Sequence, residues 1–164
     1  MTESERKRQI DQIVKLVHQK PDTTVYNSTQ VRNNTNCFSY AIGSSACYLE
    51  LYRIGAICGK KPIDQQYFTI EEIKQLLYED FKTLELKIEE SSEKEEVGEN
   101  QYKIALYVKI YADNKIHDFH FLRYENGVWS EKYRTQFPRD LGENLEGLYS
   151  NWPWKLIGIY KITK

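Results

Sequence analysis

The spacing of apolar residues predicts three helices in the first half of the chain. Within the N-terminal segment 1–20, residues 3–20 predict a helix, because Ile10, Ile13, Val14 and Val17 fall at helical spacing on one apolar face. A second helix is predicted within residues 33–54, beginning at Cys37 after a polar loop. Residues 69–82 predict a third helix, because they open with a Thr three positions before a Glu, the spacing of a capping box.

The second half of the chain changes to a period of two, which is typical of strands. Residues 102–111 alternate cleanly, and residues 116–124 predict the next strand. Asn126-Gly127 is a strong signal for a two-residue hairpin turn, so residues 128–133 are expected to return antiparallel. Residues 155–162 predict the last strand.

The order of these elements predicts the fold class. The helices come first, and an antiparallel sheet within residues 102–162 follows, with one short strand before it at residues 84–88. This order is typical of an α+β fold in which N-terminal helices pack on an antiparallel β-sheet. The length of 164 residues suits one domain, residues 1–164.

Charge limits the partners that we expect. Residues 89–100 hold six Glu and one Lys and predict a mobile, solvated acidic loop. The net charge of −1 lacks the basic surplus of a nucleic-acid binder, so we expect no nucleic-acid partner. No apolar run approaches the roughly 20 residues of a membrane helix, so we expect no membrane partner.

The N-terminus gives the expected compartment. It is charged and is not followed by an apolar signal core, which indicates a cytoplasmic protein. Export by a route without a cleaved signal is the alternative. The sequence predicts no particular oligomeric state.

The three cysteines are expected to be reduced. Their odd number and the absence of a CxxC pair argue against a disulfide framework and against a structural zinc site, so we expect no metal and no cofactor. Cys37 differs from the other two because it lies at a predicted helix start, where a thiolate is stabilised. Cys47 is expected inside that helix, and Cys58 in the connection that follows. Cys37 is therefore the candidate nucleophile.

His120 is the candidate base. It lies in the middle of a predicted strand, and the rigid backbone of a strand suits a base that must keep a fixed distance from a nucleophile. The other two histidines are weaker candidates for the base. His18 is near the end of the first helix, where a cation is favourable without any catalytic role, and His117 has the opposite parity to His120.

The predicted hairpin supplies a third candidate. A two-residue turn makes Glu131 the diagonal neighbour of His120 on one sheet face, where a carboxylate can orient the imidazole. Asp118 shares that face and is the rival orienting residue. An oxyanion hole needs N–H donors, and the backbone N–H of Cys37 is the natural first one. A second donor is expected from a side-chain amide upstream, with four candidates: Asn36, Asn34, Asn33 and Gln30.

Two segments carry a resemblance to a known family. Asn36-Cys37-Phe38-Ser39-Tyr40-Ala41, after a polar loop, resembles the nucleophile segment of the papain-like cysteine peptidases and amidases, in particular their bacterial cell-wall-amidase-like branch. Residues 119–124 and 127–132 are similar to a group of bacterial proteins whose histidine strand ends in Trp-Ser-His-Lys. The resemblance implies a papain-like fold and thiol attack on an amide or ester carbonyl in a bacterial or phage protein. Because this chain has Glu131 where that group has His, the third residue stays open.

Three functions follow as hypotheses. The first is a cysteine hydrolase that cleaves an amide bond of a peptide or protein substrate through an acyl-enzyme. The second is a protein glutamine deamidase or a transglutaminase-type effector or toxin, which uses the same Cys-His pair. The third is a binding domain without catalysis, in which the aromatic residues of the second half line a ligand groove.

Overall fold

The computed structural model describes residues 1–60 and 68–164. Within these ranges the helices are α1 (Glu3–Val17), α2 (Thr29–Asn33), α3 (Cys37–Ile42) and α4 (Ile70–Thr83), with 3-10 turns at Thr23–Asn27 and Leu49–Leu51. The strands are β1 (Lys87–Glu90), β2 (Gln101–Ile110), β3 (Ile116–Glu125), β4 (Val128–Glu131), β5 (Arg139–Gly142) and β6 (Trp154–Thr163).

The six strands form one antiparallel sheet in the order β1-β6-β2-β3-β4-β5. The four helices pack on this sheet, which confirms the predicted α+β class. β2 lies between β6 and β3, and its residues are almost entirely buried because neighbours cover both of its edges and both of its faces. β3 and β4, joined by the two-residue turn Asn126-Gly127, form the predicted hairpin.

Apolar packing covers both faces of the sheet. On the helical side, the Phe38 ring of α3 lies edge-on to Phe121 of β3, with ring centroids 5.7 Å apart. On the opposite side, Trp129 is fully buried and belongs to a second cluster that includes Leu122 and Leu145. The segment between β5 and β6 therefore closes a face that the helices leave open. Among the described residues, no helix is both long enough and apolar enough to cross a membrane.

The prediction of a long second helix within residues 33–54 is wrong. α3 has only six residues and ends before Gly43, whose φ of +83° lies in the left-handed region. The N–H of Ser44 donates to the Ser39 carbonyl and that of Gly43 to the Tyr40 carbonyl, which is the pattern of a Schellman motif. Gly43 thus terminates the helix, and Cys47 lies in the loop beyond it.

Other boundaries differ from the predicted ones by a few residues. α1 ends at Val17 rather than at residue 20. At this end of the helix, the His18 N–H donates to the Leu16 carbonyl. β1 spans Lys87–Glu90 instead of residues 84–88, so the acidic segment outside the sheet is 91–100. The sequence predicts loop at the short elements α2 and β5, since neither has a periodic apolar pattern.

The acidic segment is tied to the sheet by a buried cation. Lys103 of β2 is 1% exposed, and its ammonium donates to the carbonyls of Ser92, Glu93 and Glu95 at 2.7–3.2 Å. The same ammonium lies 4.6 Å from the centroid of the Tyr124 ring. The backbone of residues 92–95 is therefore held in place by contacts that the composition of the segment does not reveal.

Candidate active site

Cys37 is the first residue of α3 and is 7% exposed. Asn36 caps the helix: its side-chain oxygen accepts from the N–H groups of Phe38 and Ser39 at 2.9 and 3.1 Å. The Tyr40 N–H donates to the Asn36 carbonyl. Among the described residues, the N–H of Cys37 itself makes no hydrogen bond, which leaves one backbone donor beside the thiol.

His120 lies on β3, opposite Tyr107 of β2, and is 3% exposed. Its Nε2 atom lies 2.7 Å from Oε1 of Glu131, and its side chain also neighbours that of Cys37, whose interaction raises the pKa of the imidazole. Because Glu131 takes Nε2, the nitrogen left for the thiol is Nδ1. The structure thus brings the three predicted residues together in one contact chain, in the order Cys37, His120, Glu131.

The contacts of His120 favour its charged form. Burial alone lowers the pKa of a histidine, because it removes water from the imidazolium. Here the interactions with Cys37 and Glu131 outweigh burial and raise the pKa of His120 from 6.5 to about 9. The imidazole therefore holds a proton at neutral pH, as a cation that stabilises negative charge on the neighbouring sulfur.

Glu131 is fully buried and ionised. Its Oε1 accepts from the Tyr149 hydroxyl at 2.5 Å as well as facing His120, and its Oε2 accepts from Nε and Nη2 of Arg139 at 2.8 and 2.7 Å. Burial raises the pKa of a carboxyl group, but the bonds from His120, Tyr149 and Arg139 prevail and hold the pKa of Glu131 at about 2. A fixed carboxylate on Nε2 sets both the orientation and the tautomer of the imidazole.

Lys132, the residue after Glu131, holds the segment that leads to Cys37. It is fully buried, and its ammonium donates to the carbonyls of Arg32 at 2.8 Å, of Thr35 at 3.0 Å and of Arg134. Burial lowers the pKa of Lys132 to about 8, and the charge of Cys37 acts in the opposite direction. Two consecutive residues, Glu131 at the end of β4 and Lys132 just after it, therefore fix the two partners of the dyad: Glu131 bonds to His120, and Lys132 holds the chain before Cys37.

The other predicted site residues form hydrogen bonds with groups other than the thiol and the imidazole. The Asn36 amide nitrogen donates to the Tyr52 carbonyl at 2.9 Å, and that of Asn34 to the Gln30 carbonyl at 2.9 Å, so neither amide is aimed at the thiol. Asp118 is exposed and accepts from the N–H of Phe119, so Glu131 and not Asp118 is the residue bonded to the imidazole. His117 bonds with Asp113 at 2.8 Å, and Nε2 of His18 lies 3.0 Å from the Leu84 carbonyl.

Sequence reasoning missed three residues around this site: Lys132, Arg139 and Tyr149. Arg139 lies in β5 and Tyr149 in the loop after it, 8 and 18 residues beyond Glu131, in segments without periodicity. Lys132 carried one available signal, since a Lys in a predicted central hairpin strand needs buried acceptors for its charge.

A groove lies next to the imidazole, on the side closed by the segment between β5 and β6. Its volume is ≈ 670 Å³, and it is open to solvent. It is lined in part by Tyr107, Tyr149, Trp154, Glu93 and Glu146. The Tyr149 ring centroid is 4.9 Å from that of His120, so one wall of the groove also contacts the imidazole.

Comparison of the chain with protein-family models, with curated proteins and with solved structures found no match. In the part of the chain that the structure describes, no group of three or more His, Cys, Asp or Glu residues has the arrangement of a metal site.

Proposed function

We propose that the protein is a cysteine hydrolase that cleaves an amide bond of a peptide or protein substrate. One observation carries the proposal: a buried imidazole contacts the Cys37 thiol on one side and a buried carboxylate, 2.7 Å away, on the other. This is the arrangement of a nucleophile, a base and an orienting group. Structural cysteines seldom need such a partner, because an inert thiol packs as a small apolar group.

The chemistry follows from these contacts. His120 takes the thiol proton, and the sulfur of Cys37 attacks the carbonyl carbon, forming a C–S bond and a tetrahedral oxyanion. The N–H of Cys37, which has no partner among the described residues, is available to donate to that oxyanion. The imidazolium then gives its proton to the leaving nitrogen as the C–N bond breaks, which leaves a thioester. Water, deprotonated by His120, attacks the thioester and releases the acid and the free thiol.

Glu131 supports both proton transfers without taking part in them. Its negative charge stabilises the imidazolium that forms in each step, and its bond to Nε2 keeps Nδ1 directed at the sulfur. Arg139 and Tyr149 hold the carboxylate, so its orientation does not depend on solvent.

The papain-like assignment of the α+β fold belongs to the same proposal. A cysteine that opens a helix, a histidine on a later strand and an orienting side chain on the next strand occur here in the order that the family resemblance implies. The short α3 departs from the longer nucleophile helix that the sequence predicts. The proposal therefore depends on the site geometry more than on the helical layer.

The test of the dyad is the alkylation of individual cysteines by iodoacetamide at neutral pH, followed by mass spectrometry of each peptide. Cys37 is expected to react at least about tenfold faster than Cys58. Cys58 is a built-in reference, because burial and the nearby Asp80 raise the pKa of its thiol to about 11. His120→Gln should remove the advantage of Cys37, whereas the matched variant His117→Gln should keep it. Equal rates for Cys37 and Cys58 in the unchanged protein would refute the dyad.

Mass spectrometry of peptide and protein substrates then separates the hydrolase from a deamidase or transglutaminase. Hydrolysis cuts the chain or frees an amine, whereas deamidation adds about one mass unit to an intact chain. A product with an intact chain and that mass change would move the assignment to the second hypothesis.

A further inference from the structure

The groove beside His120 lies on the imidazole side of the dyad. Tyr149 and Trp154 line it, and their ring centroids are 4.9 and 6.4 Å from that of His120. During amide cleavage the imidazolium donates its proton to the leaving nitrogen, so the amine half of the substrate has to reach the imidazole, whose neighbours Tyr149 and Trp154 are also walls of this groove. A substrate group that enters the groove therefore belongs to the leaving half.

The walls of the groove are aromatic. Tyr107, Tyr149 and Trp154 follow one another, with centroid distances of 5.5 Å for the first pair and 5.4 Å for the second. The first pair is tilted at 48° and the second is edge-to-face at 70°. Aromatic side chains attract cations through their π faces. The Lys109 ammonium, which is not part of the lining, already lies 5.3 Å from the Trp154 centroid.

The groove also contains an unused polar group. The ring of Tyr107 is buried, while its hydroxyl, which makes no hydrogen bond among the described residues and is not enclosed by them, remains accessible at the groove. Burial and the charge of Glu93 raise the pKa of Tyr107 to about 12, so the phenol stays neutral. A neutral hydroxyl that is accessible at the groove can accept a hydrogen bond from a ligand there.

The charges at the groove are mainly acidic. The Glu93 carboxylate accepts from the Leu145 N–H at 3.3 Å, which brings the acidic segment against the groove, and Glu146 lies on the same rim. Lys155 lines the groove too, but it pairs with Val108, whose side chain faces the helices. The Lys155 side chain therefore leaves from the other face of the sheet.

We propose that this groove binds a basic side chain, lysine or arginine, on the amine side of the bond that Cys37 attacks. Two carboxylates supply the opposite charge, three aromatic rings contact the aliphatic stem, and the Tyr107 hydroxyl accepts a hydrogen bond from the cation. The position relative to the cleaved bond rests on the proposed function. The preference for a cation rests only on the groove.

Binding to Cys37→Ala protein tests the preference without any catalysis. The probes are acetyl-Ala-Ala-Lys-Ala-amide and the same peptide with norleucine in place of Lys, titrated by NMR. The Lys peptide should bind about fivefold tighter, since exposed ion pairs and cation–π contacts are each modest. Shifts should map to Tyr107, Tyr149 and Trp154. Equal affinity for the two peptides, or shifts elsewhere, would overturn the proposal.

Matched variants assign the effect to the rim. Glu93→Gln and Glu146→Gln should each reduce the Lys preference by about two- to threefold. Glu96→Gln and Glu143→Gln replace exposed acidic residues that do not line the groove, and they should leave it unchanged. A preference that survives both rim substitutions would contradict the assignment.

Cleavage assays test the position. Peptides with a single Lys on the amine side of the cut bond should be cleaved faster than peptides with that Lys on the acyl side, and Glu93→Gln should reduce this difference. A preference for Lys on the acyl side would overturn the placement. If Cys37 shows no enhanced alkylation and no peptide is cut, the proposed function fails, while the NMR comparison still decides whether the groove binds a cation.

Discussion

Glu131 and His120 are diagonal neighbours across the β3–β4 hairpin, and their side chains meet at 2.7 Å. The base and its orienting carboxylate thus lie on one short, locally paired unit, whereas the nucleophile comes from a helix more than 80 residues earlier. α3 is fixed against this hairpin by the Arg123 guanidinium, which donates to the Ala41 carbonyl at 3.1 Å, and by a 2.6 Å bond between Tyr40 and Ser130. The alignment of thiol and imidazole therefore depends on contacts between α3 and β3–β4.

Replacing Glu131 by Gln should lower the turnover number by roughly 10²- to 10⁴-fold, because the imidazolium loses its charged partner while the shape of the side chain is kept. The same change should lower the pKa of His120 below about 9, since the bond and charge of Glu131 contribute to raising it. The alkaline limb of the pH–rate profile, which reports the loss of the imidazolium proton, should then move to lower pH.

Glu125→Gln is the matched control for that change. Its carboxylate also lies on the hairpin and accepts from Nε of Arg123 at 3.0 Å, but it is not in the chain of contacts from Cys37. The orienting role of Glu131 would be contradicted if the alkaline limb of the pH–rate profile did not move in Glu131→Gln. It would also be contradicted if the limb moved by the same amount in Glu125→Gln.

The protonated state of His120 should make the stability of the protein depend on pH. The pKa of His120 is about 9 in the folded protein and close to 6.5 in the unfolded chain, so its contribution is complete below pH 6.5. That contribution is lost as the pH rises from 6.5 through 9, and the free energy of unfolding should fall by about 2–3 kcal/mol across this window. Urea unfolding at a series of pH values measures it.

The acid side has the opposite sign. The pKa of Glu131 is about 2 when folded against a usual 4.5, so its contribution is present above pH 4.5 and is lost as the pH falls from there toward 2.

The decline in stability on the alkaline side has a matched pair of control variants. His120→Gln should flatten the alkaline decline, and His117→Gln should not. A decline of the same size in His120→Gln would show that other groups cause it.

A comparison of Lys132 with Lys103 distinguishes an effect on the stability of the fold from an effect on the reactivity of Cys37. Each is a buried lysine whose ammonium donates to three carbonyls, so Lys132→Met and Lys103→Met should both destabilise the fold by about 2–4 kcal/mol. Only Lys132 holds the chain before Cys37. Cys37 alkylation should therefore slow in Lys132→Met and keep its rate in Lys103→Met, when both are measured below their unfolding temperatures.

Gly43→Ala should destabilise the protein by about 1–2 kcal/mol, as judged by thermal and urea unfolding. The φ of Gly43 is +83°, and a Cβ there would lie 3.3 Å from Nη1 of Arg123, the group that binds the end of α3. Gly98→Ala is the control, because a Cβ at that glycine meets only the end of the Gln101 side chain, at 3.5 Å. A Gly43→Ala protein as stable as Gly98→Ala would contradict the role of Gly43 as a helix stop.

The parts of the site that follow local rules are predictable from the sequence. The turn Asn126-Gly127 and the period of two are enough to place Glu131 beside His120, and the Asn36 cap is enough to place Cys37 at a helix start. The length of α3 is not predictable in this way, because the presence of Gly43 alone does not reveal a left-handed conformation. The position of Tyr149 is not predictable either. Its side chain reaches Glu131 across 18 residues that contain no regular period, and its own backbone has a φ of +49°.

The spacing of 11 residues between His120 and Glu131 has an evolutionary consequence. If the strand pairing shifts with the turn, one deleted residue would bring Lys132 to the position of Glu131, and one inserted residue would bring Ser130 there. In both cases the imidazole loses its carboxylate, so length changes at this turn are selected against. Distant homologues should preserve the interval even where the turn residues themselves have diverged, which makes the interval a more durable signature than Asn126-Gly127.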